Sequence, residues 1–228
     1  MTGRDGEAGN GTVESLYPFL YAGTSDLPAV LEDVRRSTVA KAAEIMELRR
    51  VISERDGARL AGCAQEAARR FAAGGRLFTF GNGGSATDAQ QLATLFLYPG
   101  DGSTPLAACN LASDTAVVTA LTNDIGVDVV FSRQIAAFGR RGDIAVGLST
   151  SGNSANLLRA FDEASRRGML TIGLAGYDGG KMAELDSIDY LFVAPSSSVH
   201  RIQEAQTTIY NVLWELTLAA LGRPRVSR

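Results

Sequence analysis

Residues 77–86 read Leu77-Phe78-Thr79-Phe80-Gly81-Asn82-Gly83-Gly84-Ser85-Ala86, and the fold class turns on them. An uninterrupted run of apolar and β-branched residues is the signature of a strand buried on both faces, as in a parallel sheet. It passes directly into glycines, then into a helical pattern over about Thr87–Leu97. The same order of strand, loop and helix recurs along the chain. Strands are predicted at Leu77–Phe80, Leu106–Cys109, Ile144–Leu148, Leu170–Leu174 and Tyr190–Val193. Helices are predicted near Thr87–Leu97, Thr115–Leu121, Val129–Phe138, Asn156–Arg166 and Lys181–Leu185, with a long closing helix over about Arg201–Leu221. This alternation predicts an α/β fold of three layers, with five parallel strands between helices on both faces.

Working back from Gly75, a helix over about Asp56–Ala73 stops at Gly74–Gly75, and a separate one precedes it. That earlier helix carries Leu31, Val34, Val39, Ala42, Ile45, Met46 and Leu48. Residues 1–12 read as a disordered tail, and Ser15–Leu27, with Tyr17, Phe19 and Tyr21, as an irregular segment. The expected division is a tail and extension over 1–35 and the main domain over 36–224.

Composition narrows the functional classes. With 228 residues, 45% of them hydrophobic and 21% charged, the chain can bury a core without metal or disulfide help. No run of about 18 apolar residues exists to span a bilayer. The first twelve residues lack a basic region followed by an apolar one, so a cytoplasmic location is expected. Net charge is −3 and the basic residues are scattered, which disfavours nucleic acid as a ligand. Cys63 and Cys109 lack metal or redox spacing and are expected to be buried small hydrophobes.

Two loops carry chemistry. In Gly81–Ala86 the glycines let backbone amides approach a ligand, and Ser85 is placed to cap the helix. Alone it matches a dinucleotide pattern, but the following strand ends in Asn110 where a ribose-binding acid is wanted. Ser149-Thr150-Ser151-Gly152-Asn153-Ser154 also joins a strand to a helix, and offers four hydroxyls at the positive end of a helix dipole. That suits a phosphate monoester. It has no P-loop lysine, which disfavours phosphoryl transfer from ATP.

These loops, with Asn123–Asp124, Phe131-Ser132-Arg133, Tyr177-Asp178-Gly179-Gly180-Lys181-Met182 and Arg201-Ile202-Gln203-Glu204, resemble the sugar isomerase (SIS) domain of phosphoheptose isomerases. The resemblance covers roughly residues 40–221. It implies a homotetramer with sites at subunit interfaces, and a phosphorylated sugar such as sedoheptulose 7-phosphate as ligand. It assigns phosphate binding to Ser149, Thr150, Ser151, Ser154 and Ser85, and sugar binding to Asn82, Gly83, Asp124 and Gln203.

The same resemblance exposes departures. The family's catalytic Glu and His fall at Leu95 and Asn211, neither of which exchanges a proton near neutral pH. Zinc-binding members use four positions that here hold Gln91, Leu95, Gln203 and Asn211, so no metal or other cofactor is expected. The Asp before the Arg-Ile-Gln-Glu motif is His200, and a substrate-contacting Arg is Pro99. His200, Asp88 and Glu204 are the substitute acid–base candidates. His200 reads equally as an exposed loop residue, Asp88 as a first-turn charge and Glu204 as a partner of Arg201. The expected function is sugar-phosphate binding as a sensor or scaffold, with a possible protein partner as in relatives that bind a replication initiator. The alternative is an isomerase with rearranged catalytic groups.

Overall fold

Five parallel strands lie side by side in the order β2-β1-β3-β4-β5 in a computed structural model that describes residues 27–100 and 104–222. They are β1 (Leu77–Gly81), β2 (Ala108–Asn110), β3 (Ile144–Leu148), β4 (Leu170–Gly176) and β5 (Tyr190–Ala194). The helices are α1 (Leu27–Ala72), α2 (Gly84–Leu97), α3 (Thr115–Ile125), α4 (Val130–Phe138), α5 (Ala155–Arg166) and α6 (Val199–Ala220). Single 3-10 turns occupy Val127–Val129 and Gly180–Glu184. The expectations for residues 1–12 and Tyr17–Tyr21 lie outside the described residues. The chain divides into two compact units after Ala43, and the sheet belongs to the second.

Strand pleating sorts the core into two layers. Leu77, Ile144, Val146, Leu148, Ile172, Leu174 and Phe192 pack with α1 from Ile45 onward, α2 and α6. Their alternates Phe78, Phe80, Ala145 and Ala175 pack with α4 and α5, where Phe80 meets Phe131 and Phe161 at ring centroids 5.6 and 5.3 Å apart. Every residue of β1, β3 and β4 is buried, which is why these strands read as unbroken apolar runs.

Three expectations need correction. The two N-terminal helices are one, α1, running through the charged stretch around Asp56 and Gly57. Packing overrides the cost of about 1 kcal/mol that glycine adds in a helix, because Ile52, Leu60 and Cys63 on either side are buried. Asp56 is itself buried and accepts hydrogen bonds from Arg55 at 2.6 and 2.9 Å. Cys63 is buried as expected, which pushes its thiol up to about 12, but Cys109 is exposed. It lies in edge strand β2, which leaves its side chain open to solvent. The spacing along the closing helix predicts an apolar stripe of Ile209, Val212, Leu213, Leu216 and Ala220 with Trp214 and Leu218 off it; in the structure Trp214 and Leu218 join Ile209 and Leu213 in the core, and Ala220 is exposed.

Candidate functional site

The strand order reverses direction at β1: the chain steps to β2 on one side, then to β3 on the other. Ligands of open α/β sheets bind at such a switch point, beyond the carboxyl ends of the strands. The loops that leave β1 and β3 there are Gly81–Gly84 and Ser149–Ser154, the two singled out from the sequence.

A reciprocal amide pair joins the glycine loop to the first turn of α5, directly after the serine loop. Asn82 Nδ2 donates to Asn156 Oδ1 at 3.0 Å, and Asn156 Nδ2 donates to Asn82 Oδ1 at 2.9 Å. The sequence reading missed Asn156; the signal was a polar residue on the otherwise apolar buried face of α5, beside Leu157 and Ala160. In the glycine loop the cap of α2 is Gly83, at φ 54°, and not Ser85. Ser85 lies inside the first turn and is buried, so the capping expectation is corrected: glycine supplies the left-handed backbone at that position. Gln203 of α6 reaches over this loop, its Nε2 standing 2.4 Å from where a Cβ on Gly84 would be. The same Nε2 donates weakly to Asp88 Oδ2 at 3.4 Å.

The serine loop is braced from three directions. Ser149 Oγ accepts from Gly152 N at 3.0 Å, turning the chain back on itself. Gly152, at φ +67°, lies against the backbone that follows β4, and a Cβ there would be 1.9 Å from the Gly179 carbonyl oxygen. Met182 N donates to Gly152 O at 3.0 Å and Lys181 N to Asn153 Oδ1 at 3.0 Å. From the other layer, buried Gln206 donates to Ser149 O at 3.2 Å, while its own Oε1 has no hydrogen-bond partner among the described residues.

Within this frame the hydroxyls differ in role. Ser149 is committed to the loop, and Ser151 Oγ accepts from Asn153 N at 3.3 Å. Thr150 and Ser154 are half-buried and make no side-chain hydrogen bond among the described residues. Ser154 sits at the N-cap of α5 without bonding its amides, so the first N–H groups of that 12-residue helix face the loop uncapped by a side chain. Two hydroxyls and a helix N-terminus converging at a sheet switch point can hold an oxyanion.

The acid–base candidates fare differently. Asp88 is half-buried; burial raises its carboxyl above the ordinary value, and the Gln203 amide pulls it the other way. Burial raises the Tyr210 hydroxyl, a hydrogen bond with Thr207 pulls it down, and the charge of Asp88 adds a smaller rise. Glu204 is paired with Arg201, and His200 is exposed in the first turn of α6. Asp124 is exposed near the end of α3, where it accepts from Asn123 Nδ2 at 2.9 Å, and no hydrogen bond ties it to either loop. Leu95 is buried among the core residues of α2, Gln91 is exposed, and Asn211 donates to the Thr207 carbonyl at 2.7 Å. No group of three or more His, Cys, Asp or Glu able to hold a metal occurs among the described residues, and no helix of theirs is long and apolar enough to cross a membrane.

The SIS domain family matches residues 41–176. A phosphoheptose isomerase of Pelodictyon phaeoclathratiforme is 40% identical over 198 residues, covering 86% of this chain and 92% of the relative. One from Desulfovibrio desulfuricans is 46% identical over 176 residues, covering 72% and 83%. Among solved structures, phosphoheptose isomerase GmhA from Neisseria gonorrhoeae superposes with a TM-score of 0.75 at 34% identity, covering 82% of this chain and 99% of that one. Sequence and fold agree over more than four fifths of each of these relatives, and the chain belongs to the phosphoheptose isomerase family of SIS-domain proteins.

Proposed function

We propose that this protein binds a phosphorylated sugar of the sedoheptulose 7-phosphate class at the joined glycine and serine loops, and works by binding it, as a sensor or scaffold. The observation that carries this reading is the Asn82–Asn156 amide pair, which ties the glycine loop to the first turn of α5 beside the serine loop and leaves Thr150, Ser154 and the first amides of α5 open to an anion. The names of the relatives supply the ligand class. Aldose–ketose isomerisation moves a proton between neighbouring carbons and needs a titratable group in reach. Leu95, set in the core, and Asn211, bonded to a helix carbonyl, do not supply one. Gln91, Leu95, Gln203 and Asn211 offer amides and an alkyl group, with no imidazole, thiolate or carboxylate, so the set does not fit zinc. We further propose a homotetramer in the cytoplasm whose sites are shared between subunits, which would bring Asp124 to a neighbour's loops, and a protein partner that senses the bound state.

A second reading, turnover by rearranged groups, is favoured by one observation: Asp88 is a half-buried carboxyl beside Gln203, the residue that overlies the glycine loop. Titrating sedoheptulose 7-phosphate into the protein by calorimetry, while following aldose formation, separates the readings. Binding with no turnover is expected. Turnover of roughly 1 per second or more would replace sensing by catalysis. The Thr150→Ala/Ser154→Ala double variant, which removes the two hydroxyls not committed within the loop, should lose about 1–3 kcal/mol of affinity for each charge-assisted hydrogen bond removed. Unchanged affinity in that variant means the ligand sits elsewhere.

A further inference from the structure

Among the described residues, Tyr177 is the one non-glycine side chain on a left-handed backbone, with φ 53°. A bulky residue there is strained, and glycine would occupy the position without cost. The strain sits at the mouth of the candidate site. Gly176, just before it, comes so close to the serine loop that a Cβ would lie 2.5 Å from Thr150 O, and Gly179, two residues after it, is the residue pressed against Gly152. Tyr177 is therefore the crest of a short bridge whose two feet stand on Thr150 and Gly152. Asp178 Oδ1 accepts from Gly180 N at 3.1 Å and closes the bridge.

Tyr177 is 41% exposed and makes no ring contact or side-chain hydrogen bond among the described residues. Strain kept at an exposed aromatic residue, beside the free hydroxyls of Thr150 and Ser154, points to a ligand contact. We propose that Tyr177 is a specificity-determining residue, whose ring covers the carbon chain of a sugar phosphate held by the serine loop. The aromatic face would meet the C–H groups of the sugar and the phenol a hydroxyl, while Thr150 and Ser154 meet the phosphate. The inference rests on the sugar-phosphate reading above, and adds the group that separates a sugar phosphate from phosphate alone.

The test compares two ligands across three variants by calorimetry: sedoheptulose 7-phosphate and inorganic phosphate, with Tyr177→Phe, Tyr177→Ala and Tyr177→Gly. Tyr177→Ala and Tyr177→Gly should each weaken sugar-phosphate binding about tenfold while leaving inorganic phosphate within about twofold, and Tyr177→Phe should keep most of the preference. Tyr177→Gly should also hold or raise the melting temperature, since it relieves the backbone; a loss of affinity in that variant cannot come from a damaged fold. An unchanged ratio between the two ligands in both truncations overturns the role of Tyr177 and leaves the serine-loop site intact. Loss of both ligands to the same degree also overturns it, because the residue would then only support the loop. Failure of the unaltered protein to bind the sugar phosphate overturns the underlying reading and this one with it.

Discussion

The two ends of the sheet are built on opposite rules. At the amino ends of the strands, charged and hydroxyl side chains are matched. Asp143 accepts from Arg76 N at 2.9 Å, Arg76 Nη2 at 2.7 Å and Arg140 N at 2.9 Å, tying the starts of β1 and β3 together. Asp189 does the same for β4, accepting from Thr171 N and Oγ1 at 2.9 and 3.0 Å. Arg70 and Arg167 donate to the carbonyls of Gly168 and Gly139. At the carboxyl ends the chain tolerates a left-handed tyrosine, a buried acceptor on Gln206 without a partner among the described residues and a helix N-terminus without a side-chain cap. Each of these costs stability, of order 1–3 kcal/mol for a strained residue or an unmet buried polar group. One end holds the fold together and the other carries the proposed ligand site.

Breaking the matched end should give the largest effect on stability and almost none on binding. Asp143 is nearly inaccessible, and Asp143→Ala strands Arg76 and two backbone amides. A loss of about 3–5 kcal/mol in urea unfolding is expected, because removing one partner of a buried pair leaves the other uncompensated. Sugar-phosphate affinity, measured where the variant is still folded, should stay within about twofold. A variant that melts normally but binds poorly would show that the two ends are coupled.

The receiving end should respond the other way around. Gly152→Ala forces a Cβ into the Gly179 carbonyl and strains a φ of +67°. About 1–3 kcal/mol of stability should go, with binding falling further than stability because the bridge carrying Tyr177 must shift. Full retention of affinity in Gly152→Ala would detach the bridge from the site.

The same contrast governs what could be read in the sequence. Buried parallel strands announce themselves as apolar runs, so β1, β3, β4 and β5 were legible to within two residues at either end, and the loops after β1 and β3 with them. The continuity of α1 was not, because the charged segment from Arg49 to Gly57 breaks the apolar period that only tertiary packing of Ile52 and Leu60 restores. Cys109 misled because three-residue β2 lies at an edge, where an apolar residue need not face the core. In the site, residue types were legible and their division of labour was not. That Ser149 serves the loop while Ser154 stays open depends on one hydrogen bond from Gly152. The link between Asn82 and Asn156 spans 74 positions, a separation at which local patterns say nothing.

The smallest effect should come from Asp88, which stands between the two rules: partly buried like the matched end, only weakly partnered like the receiving end. Burial lifts its carboxyl above the ordinary 3.8, so the folded chain keeps a proton over a range where the unfolded chain has lost it. Stability therefore falls as pH climbs from the ordinary value through the raised one, then levels off, since the folded state binds more protons only inside that window. Asp88→Asn removes the fall. Relative to the parent, the variant should match it at the acid end and be slightly more stable at pH 7, by well under about 1 kcal/mol because solvent screens a half-exposed group. Thermal melts of both proteins from pH 3.5 to 7 measure the difference. A variant less stable than the parent at pH 7 would mean that the Gln203 amide outweighs burial and that Asp88 is held as an anion. The same variant bears on chemistry: if aldose formation is detected in the parent and survives in Asp88→Asn, the proton is carried by another group, and the reading that turnover runs through Asp88 falls.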